Sequence, residues 1–163
     1  MPAYLDISRP SMVAAYQGVL DEHRGELMDY VNQALDHGHN ATGADFSRAL
    51  RAVEVMRSQL DDLLDEHDLL LTPTMGMPAP PVGNPPRVVG GKEVHPQWIF
   101  PNLTVPFNLT GQPAATVPCG FSSGGLPIGL HIIGRRGDEA TVLRASAAFE
   151  QVRPWHHLRP PVH

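Results

Sequence analysis

Two adjacent serines, Ser122 and Ser123, are the first residues whose types suggest catalysis, because two glycines follow them in the segment CGFSSGG. A serine nucleophile needs a neighbouring base and donors for the oxyanion, and Lys92 is the chain's only lysine that could act as this base. However, the apolar runs on both sides of the serines are typical of two strands joined by a polar turn. We recognise no hydrolase-type nucleophile elbow here, interpret the pair as a hairpin turn, and assign no catalytic residue.

Nine histidines raise the question of a metal site. His37 and His39 are two residues apart near a predicted helix end, and another group, His156, His157 and His163, lies in the carboxy-terminal tail. Neither group has the H-E-x-x-H motif or the Cys/His spacing that is typical of zinc sites. We interpret them as solvated loop histidines and predict no metal and no cofactor.

The single cysteine, Cys119, follows a predicted strand in the sequence V-P-C-G. No basic residue is adjacent to activate its thiol, so we predict that Cys119 packs as a small buried side chain and is not a nucleophile. One cysteine cannot form an internal disulfide, and the amino terminus lacks a basic and then apolar secretion signal. We therefore expect a cytoplasmic protein.

The charge balance bears on the partners that the chain could bind. The formal net charge is −5, and Lys and Arg together number only 12, whereas nucleic-acid binders need clustered basic residues. No apolar run approaches the length of a membrane span. We predict neither a nucleic-acid partner nor a membrane partner.

Hydrophobic periodicity predicts a helical pair over residues 11–67. Apolar residues recur every three or four positions from Ser11 to Leu35, which predicts one amphipathic helix that ends near Gly38. A second helix is predicted to begin near Thr42, with Asp45 three residues later. Its apolar stripe comprises Phe46, Ala49, Leu50, Val53, Met56, Leu60, Leu63 and Leu64. We also interpret the acidic run Asp61, Asp62, Asp65 and Glu66 as its solvated side.

Residues 68–136 are predicted to form strands and a long proline-rich loop. The run DLLLT (68–72) is typical of a strand buried on both faces of a parallel sheet, with a buried helix segment as the alternative. Nine prolines make residues 73–106 a structureless stretch, after which VPFNLTG predicts a short helix. Residues 114–118 and 127–133 predict two further strands. Such strands need neighbours that the chain does not offer, so we expect one side of a larger sheet.

A final helix is predicted over residues 138–151. Asp138 is its expected cap, and Val142, Leu143, Ala145 and Phe149 are expected to face inward.

Large apolar residues in and after the proline-rich loop need a surface to cover. These residues are Met75, Met77, Trp98, Phe100 and Phe107. They either fill the core or line a substrate pocket, since loops at strand ends carry function and pockets are mostly apolar.

Four segments together resemble the carboxy-terminal third of amidase signature enzymes, the family that includes bacterial amidases and the A component of the tRNA-dependent amidotransferase. The segments are DLLLTPTMGMPAPPVG (68–83), FNLTGQPAATVPCGF (107–121), GLPIGLHIIGRRGDE (125–139) and the final helix with its RPW tail. Looser similarity over residues 41–57 extends the resemblance to residues 41–162. We therefore treat residues 1–163 as a single carboxy-terminal amidase-like region.

This resemblance implies an α/β fold: a partial amidase-signature fold with a few strands of a mixed sheet, about four helices and the long proline-rich loop. It implies hydrolysis of carbon–nitrogen bonds in amides through an acyl-enzyme, with a lysine and two serines as the catalytic residues. No residue of this chain aligns with those three, so we expect a truncated product that is inactive alone. The resemblance also implies that Met75, Met77, Trp98 or Phe107 contacts the substrate.

Three hypotheses follow from the sequence. In the first, the chain is the carboxy-terminal part of an amidase and supplies scaffold and pocket wall. In the second, it is a non-catalytic binding or assembly module that covers its sheet edge as a homodimer. In the third, it is half of a split amidase, and a small-molecule amide is bound only when a catalytic half completes the enzyme.

Overall fold

The computed structural model describes residues 2–16, 18–94 and 103–158, and within them the chain folds into helices and short antiparallel strands. Residue contacts divide the chain into two compact units, with the boundary between Arg57 and Ser58. None of the described helices is both long enough and apolar enough to cross a membrane. The elements are α1 (Pro2–Ala15), α2 (Val19–Glu22), a 3₁₀ turn (Arg24–Glu26), α3 (Asp29–Asn40), α4 (Gly43–Glu66), β1 (Leu70–Pro73), β2 (Val88–Val89), β3 (Lys92–Glu93), α5 (Val105–Thr110), β4 (Ala114–Phe121), β5 (Pro127–Ile133) and α6 (Glu139–Val152).

In the first unit, α1 packs against α3. The two backbones approach closely at Gly38, where an added Cβ would lie 2.6 Å from the Arg9 carbonyl oxygen. The prediction of one helix from Ser11 to Leu35 is therefore wrong. Gly18 has a φ of 86°, which breaks the helix after α1, and Leu27 is extended before α3 begins. Apolar residues spaced by three or four continue across this break, because α1 and α3 both face the same core.

The first unit also pairs its histidines with carboxylates. His37 Nε2 lies 3.2 Å from Asp6 Oδ1, and His39 Nε2 lies 3.1 Å from Asp21 Oδ2. Both histidines are in the last turn of α3. Their interpretation as solvated loop histidines is therefore wrong: they are partly exposed helix residues with acidic partners.

Helix α4 begins at the predicted position because Thr42 and Asp45 cap it reciprocally. The Thr42 backbone N–H donates to Asp45 Oδ2 at 3.0 Å, and the Asp45 N–H donates to Thr42 Oγ1 at 3.1 Å. The predicted apolar stripe is too wide, however. Ala49, Val53 and Leu64 are buried, whereas Leu50 and Leu63 are 45% and 37% exposed.

The second unit is built on a three-stranded antiparallel sheet of order β1-β5-β4. Leu70 pairs with Ile133 and, on the other side of β5, Ala114 pairs with the same residue. This confirms an α/β fold and a strand after Asp68, but the prediction of a parallel strand buried on both faces is wrong. β1 is an edge strand among the described residues, and its Leu71 is 56% exposed.

Strands β4 and β5 form the predicted hairpin. The Ser122 N–H donates to the Leu126 carbonyl at 2.8 Å, and Gly125 closes the turn with a φ of 77°. The register shifts between Pro118 and Gly120, which leaves Cys119 as the extra residue of a β-bulge.

Helix α6 covers one face of the sheet, where Val117, Ile132 and Val142 form the buried core. The Asp138 side chain accepts from the Thr141 N–H, as its predicted role as cap requires. The prediction that Leu143 faces inward is wrong, since it is 64% exposed.

The proline-rich stretch contains some regular structure. β2 and β3 pair as a two-residue ribbon, and the turn residues Gly90 and Gly91 both have positive φ, as this tight hairpin requires. The prediction that residues 73–106 are structureless is therefore wrong at this ribbon. The short helix predicted from VPFNLTG is α5, which ends at Gly111 with a φ of 83°.

Candidate functional site

A cavity of about 340 Å³ opens where the chain leaves β1 and where it enters β5. Its wall combines the loop after β1 with the start of β5, and none of the lining residues carries a charge or a hydroxyl. The lining residues are Met75, Gly76, Met77, Pro78, Ala79, Pro127, Ile128 and Gly129. We call this space the methionine cavity. Its size and apolar wall are typical of a small-molecule site.

Hydrogen bonds between neighbouring strands fix the shape of the methionine cavity. The Thr74 N–H donates to the Gly129 carbonyl at 2.9 Å, which continues the β1–β5 ladder by one residue. The side chain of the same threonine is also bonded, since Thr74 Oγ1 donates to Thr116 Oγ1 at 3.2 Å. A Cβ on Gly129 would lie 2.6 Å from Thr74 Oγ1, so only glycine lets the loop approach β5 this closely.

The structure brings together only some of the four predicted substrate-contacting residues. Met75 and Met77 both line the methionine cavity. Phe107 is 7% exposed in α5, and its ring centroid lies 5.3 Å from that of His131 in an edge-to-face contact, so it is packed in the interior. Trp98 and Phe100 lie outside the described residues.

His131 is a buried polar residue that sequence reasoning missed. It lies in β5 with 4% exposure, and Thr72 Oγ1 is 3.4 Å from its Nδ1 atom. Burial lowers the pKa of His131, so the imidazole is neutral at pH 7. Burial and the Phe107 contact make it a packing residue of this sheet face. A polar residue within the apolar run PIGLHII was the available signal.

A second missed feature is a polar network at the end of α4. Arg136 donates to Asp61 through Nε at 3.2 Å and through a terminal nitrogen at 2.7 Å. The Gln112 side-chain amide also donates to Asp61 Oδ1, at 3.2 Å, and its carbonyl contacts the Thr110 hydroxyl. Asp61, predicted as part of the solvated side of α4, is therefore paired, although its side chain is still 35% exposed. This network ties α4 to the turn between α5 and β4.

Ser122 and Ser123 lie in the turn between β4 and β5. Ser122 Oγ accepts from the Leu126 N–H at 3.1 Å, as the hairpin interpretation predicted. The segment from Gly120 to Gly124 does have the spacing G-x-S-x-G, a match missed from the sequence, but it joins two antiparallel strands. A nucleophile elbow joins a strand to a helix, so the match has the wrong context. Lys92 is an exposed residue of the β2–β3 ribbon.

Cys119 differs from its predicted burial. It is half-buried in the bulge of β4, where its thiol donates to the Ile128 carbonyl at 3.4 Å. The described residues contain no group of three His, Cys, Asp or Glu side chains that could hold a metal ion. What the described residues offer here is an apolar cavity between the loop after β1 and the start of β5.

The described residues thus form a mixed α/β segment with a small antiparallel sheet, and an apolar cavity lies at the edge of this sheet. The particular family follows from comparison with known proteins: the Amidase family profile matches residues 7–143, so the chain belongs to the amidase family. The resemblance seen in the sequence is thus confirmed.

Curated relatives agree with this assignment. The chain is 40% identical over 117 residues to the A component of the glutamyl-tRNA(Gln) amidotransferase of Oceanobacillus iheyensis. It is 34% identical over 144 residues to an acylamidase of Rhodococcus erythropolis. The first alignment covers 71% of this chain and 22% of the relative, and the second covers 86% and 30%. The chain therefore spans between a fifth and a third of these relatives.

Solved structures also match this chain over only part of their length. A crystal structure of an amidase superimposes with a TM-score of 0.84 at 28% identity, covering 93% of this chain and 34% of that one. A bacterial aryl acylamidase of the amidase signature family gives a TM-score of 0.80 at 30% identity, covering 94% and 33%. The chain thus has the fold of about one third of an amidase signature enzyme.

Proposed function

We propose that this chain is the carboxy-terminal part of an amidase-signature hydrolase and supplies scaffold and one wall of its substrate pocket. The observation that carries the proposal is the methionine cavity, an apolar space on a segment with the family's fold. In this proposal, the lysine and serines that cleave the amide are not residues of this chain. The cytoplasmic location expected from the sequence is kept, and the free thiol of Cys119 suits it.

The chemistry assigned to the wall is binding and orientation. Met75 and Met77 have flexible thioether side chains that adapt to differently shaped apolar groups. Seated against them, the acyl part of an amide loses its hydration, and its carbonyl is held in one orientation for the nucleophile. Because no charge lines the wall, it favours amides with uncharged acyl groups.

A spectroscopic experiment tests the pocket wall without requiring catalysis. The chain, labelled with ¹³C at its six methionine methyl groups, is titrated with hexanamide or benzamide. We expect saturable shifts of the Met75 and Met77 signals, assigned by the Met75→Leu and Met77→Leu variants. The signal of Met56, in the first unit, should not move. Absence of shifts at Met75 and Met77 with both amides would refute the pocket wall.

A second experiment tests the assignment of no catalytic residue. The purified chain is expected to show no hydrolysis of an acyl anilide above the uncatalysed rate. Ser123→Ala is the informative variant, because Ser122 is already engaged in the turn. Turnover by the chain that disappears in Ser123→Ala would contradict the proposal.

Among the described residues, β1 has one edge without a strand partner, which favours a second candidate, in which the chain completes an enzyme made of two polypeptides. Leu71 on this edge strand is 56% exposed, and unpaired strands with apolar side chains tend to pair with another chain. Co-expression with the amino-terminal part of a related amidase should then yield a complex with amidase activity. A monodisperse homodimer without such a complex would instead support the assembly module.

A further inference from the structure

A second cavity lies on the helix-covered side of the β4–β5 hairpin and is separate from the methionine cavity. Residues 118–121 of the bulged strand and Pro127 form one wall, and the segment from Val152 to Leu158 forms the other. Pro127 belongs to the walls of both cavities. We call the second cavity the tail groove. Its volume of about 330 Å³ lies within the range of roughly 300–1,000 Å³ found for small-molecule sites.

The body of the tail groove is apolar and partly rigid. Trp155 lines it and also packs against the buried core of Val117, Ile132 and Val142, which fixes the indole in place. Opposite the tail, Phe121 is 55% exposed at the end of the hairpin. A ligand seated between these walls would remove aromatic surface from water, which favours binding.

The charge at the tail groove has one sign. Arg153 is its charged lining residue, and no Asp or Glu is among the described residues that line it. The chain as a whole is acidic, with a formal net charge of −5, so a cationic rim is a local departure from the general surface. Arginine is suited to carboxylates because its planar guanidinium can donate two parallel hydrogen bonds to them.

We propose that the tail groove binds a small carboxylate with an apolar alkyl or aryl body. The apolar body lies between Trp155 and the hairpin wall, and the carboxylate accepts hydrogen bonds from Arg153 at the rim. Acids of this kind are also the products of acyl amide cleavage, but the groove binds them whether or not the chain takes part in that reaction.

The chain offers a reporter on each wall of the groove. Trp98 is the only other tryptophan, so in the Trp98→Phe variant the fluorescence comes from Trp155 alone. Cys119 is the only cysteine, and its alkylation rate reports access to the opposite wall. Octanoate is the probe, and octanamide, which is similar in size but neutral, is its matched control.

We expect octanoate to change the Trp155 fluorescence saturably and to slow alkylation of Cys119 over the same concentration range. Arg153→Gln should weaken octanoate binding by up to about fivefold, the upper end of the range for an exposed charge pair, and added salt should weaken it as well. Arg87→Gln removes the same charge outside the groove and should leave the affinity unchanged.

Three results would overturn the proposal. The first is equal affinity for octanoate and octanamide, which would mean that charge is not recognised. The second is equal weakening by Arg153→Gln and Arg87→Gln, which would mean that only net charge matters. The third is a fluorescence change without protection of Cys119, which would place the ligand elsewhere. None of these results bears on Met75 and Met77, so the pocket-wall proposal is tested separately.

Discussion

Replacing Gly129 by alanine is the sharpest test of how the methionine cavity is built. The new Cβ would lie 2.6 Å from Thr74 Oγ1 and 2.8 Å from Thr116 Cγ2. Comfortable carbon contacts are about 3.5–4.0 Å, so the two threonine side chains or the strands that carry them must shift. Overpacking of this kind costs about 1–3 kcal/mol, and the stiffer alanine backbone returns about 0.5–1 kcal/mol. We expect Gly129→Ala to lower the free energy of unfolding by about 1–2 kcal/mol.

Urea unfolding followed by tryptophan fluorescence measures this change, because Trp155 packs against the buried core of the second unit. Gly124→Ala is the matched control, since the nearest atom to its new Cβ is Ser122 Oγ at 3.8 Å. Thr74→Ala removes the closest atom, so the double variant Gly129→Ala, Thr74→Ala should lose less stability than the two single changes add up to. Strict additivity, or equal effects of Gly129→Ala and Gly124→Ala, would refute the close approach.

Three further predictions concern stability. Val142→Ala should lower the free energy of unfolding by about 1–3 kcal/mol, whereas Leu143→Ala, beside it but exposed, should change it by less than about 0.5 kcal/mol in the same urea titration. Thr42→Ala should cost about 1 kcal/mol through loss of the α4 cap, and Thr42→Ser should restore it, as measured by circular dichroism; equal losses would contradict the cap. Burial lowers the pKa of His131, so the unfolded state binds more protons below about pH 6.5, and the free energy of unfolding falls on acidification through that value. His131→Gln should reduce this dependence of stability on pH. An unchanged dependence would contradict the burial of a neutral His131.

Local chemistry explains which elements could be predicted from the sequence. The β4–β5 hairpin follows from apolar runs around a glycine-rich turn, and Gly125 takes the positive φ that the turn needs. The starts of α4 and α6 follow from Thr42 and Asp138, whose side chains satisfy backbone N–H groups within three residues. These signals act between near neighbours, so the sequence contains them in full.

The sequence predictions are wrong where burial or pairing depends on residues far apart in the chain. A period of three or four predicts a helix, but the width of its buried stripe depends on what packs against it, so Leu50, Leu63 and Leu143 are exposed despite their spacing. The edge position of β1 depends on its pairing with β5, about sixty residues later in the chain. Likewise, Asp61 is paired with Arg136, which lies 75 residues later in the chain.

In the candidate site, too, local sequence signals were informative, whereas contacts between distant residues could not be predicted. Met75, Met77 and Phe107 look alike in the sequence, as large apolar residues in or beside an irregular segment. The structure separates them because Phe107 is covered by His131 from β5, whereas the two methionines follow Thr74 in the loop and line the methionine cavity. Sequence reasoning selected the loop that lines the methionine cavity, but it could not divide core residues from cavity residues.

The way the methionine cavity is built also predicts how substitutions of its wall residues would affect substrate binding. The bond from the Thr74 N–H to the Gly129 carbonyl joins the two wall segments directly, so residues of this chain determine the shape of the wall. The relatives are about three to five times as long as the matched segments, and the catalytic groups are proposed to lie outside this chain. In a completed enzyme, substitutions of Met75 or Met77 should therefore change which acyl groups bind, with a larger effect on KM than on kcat. A substitution that abolished kcat for every acyl group would place these side chains at the reacting bond instead.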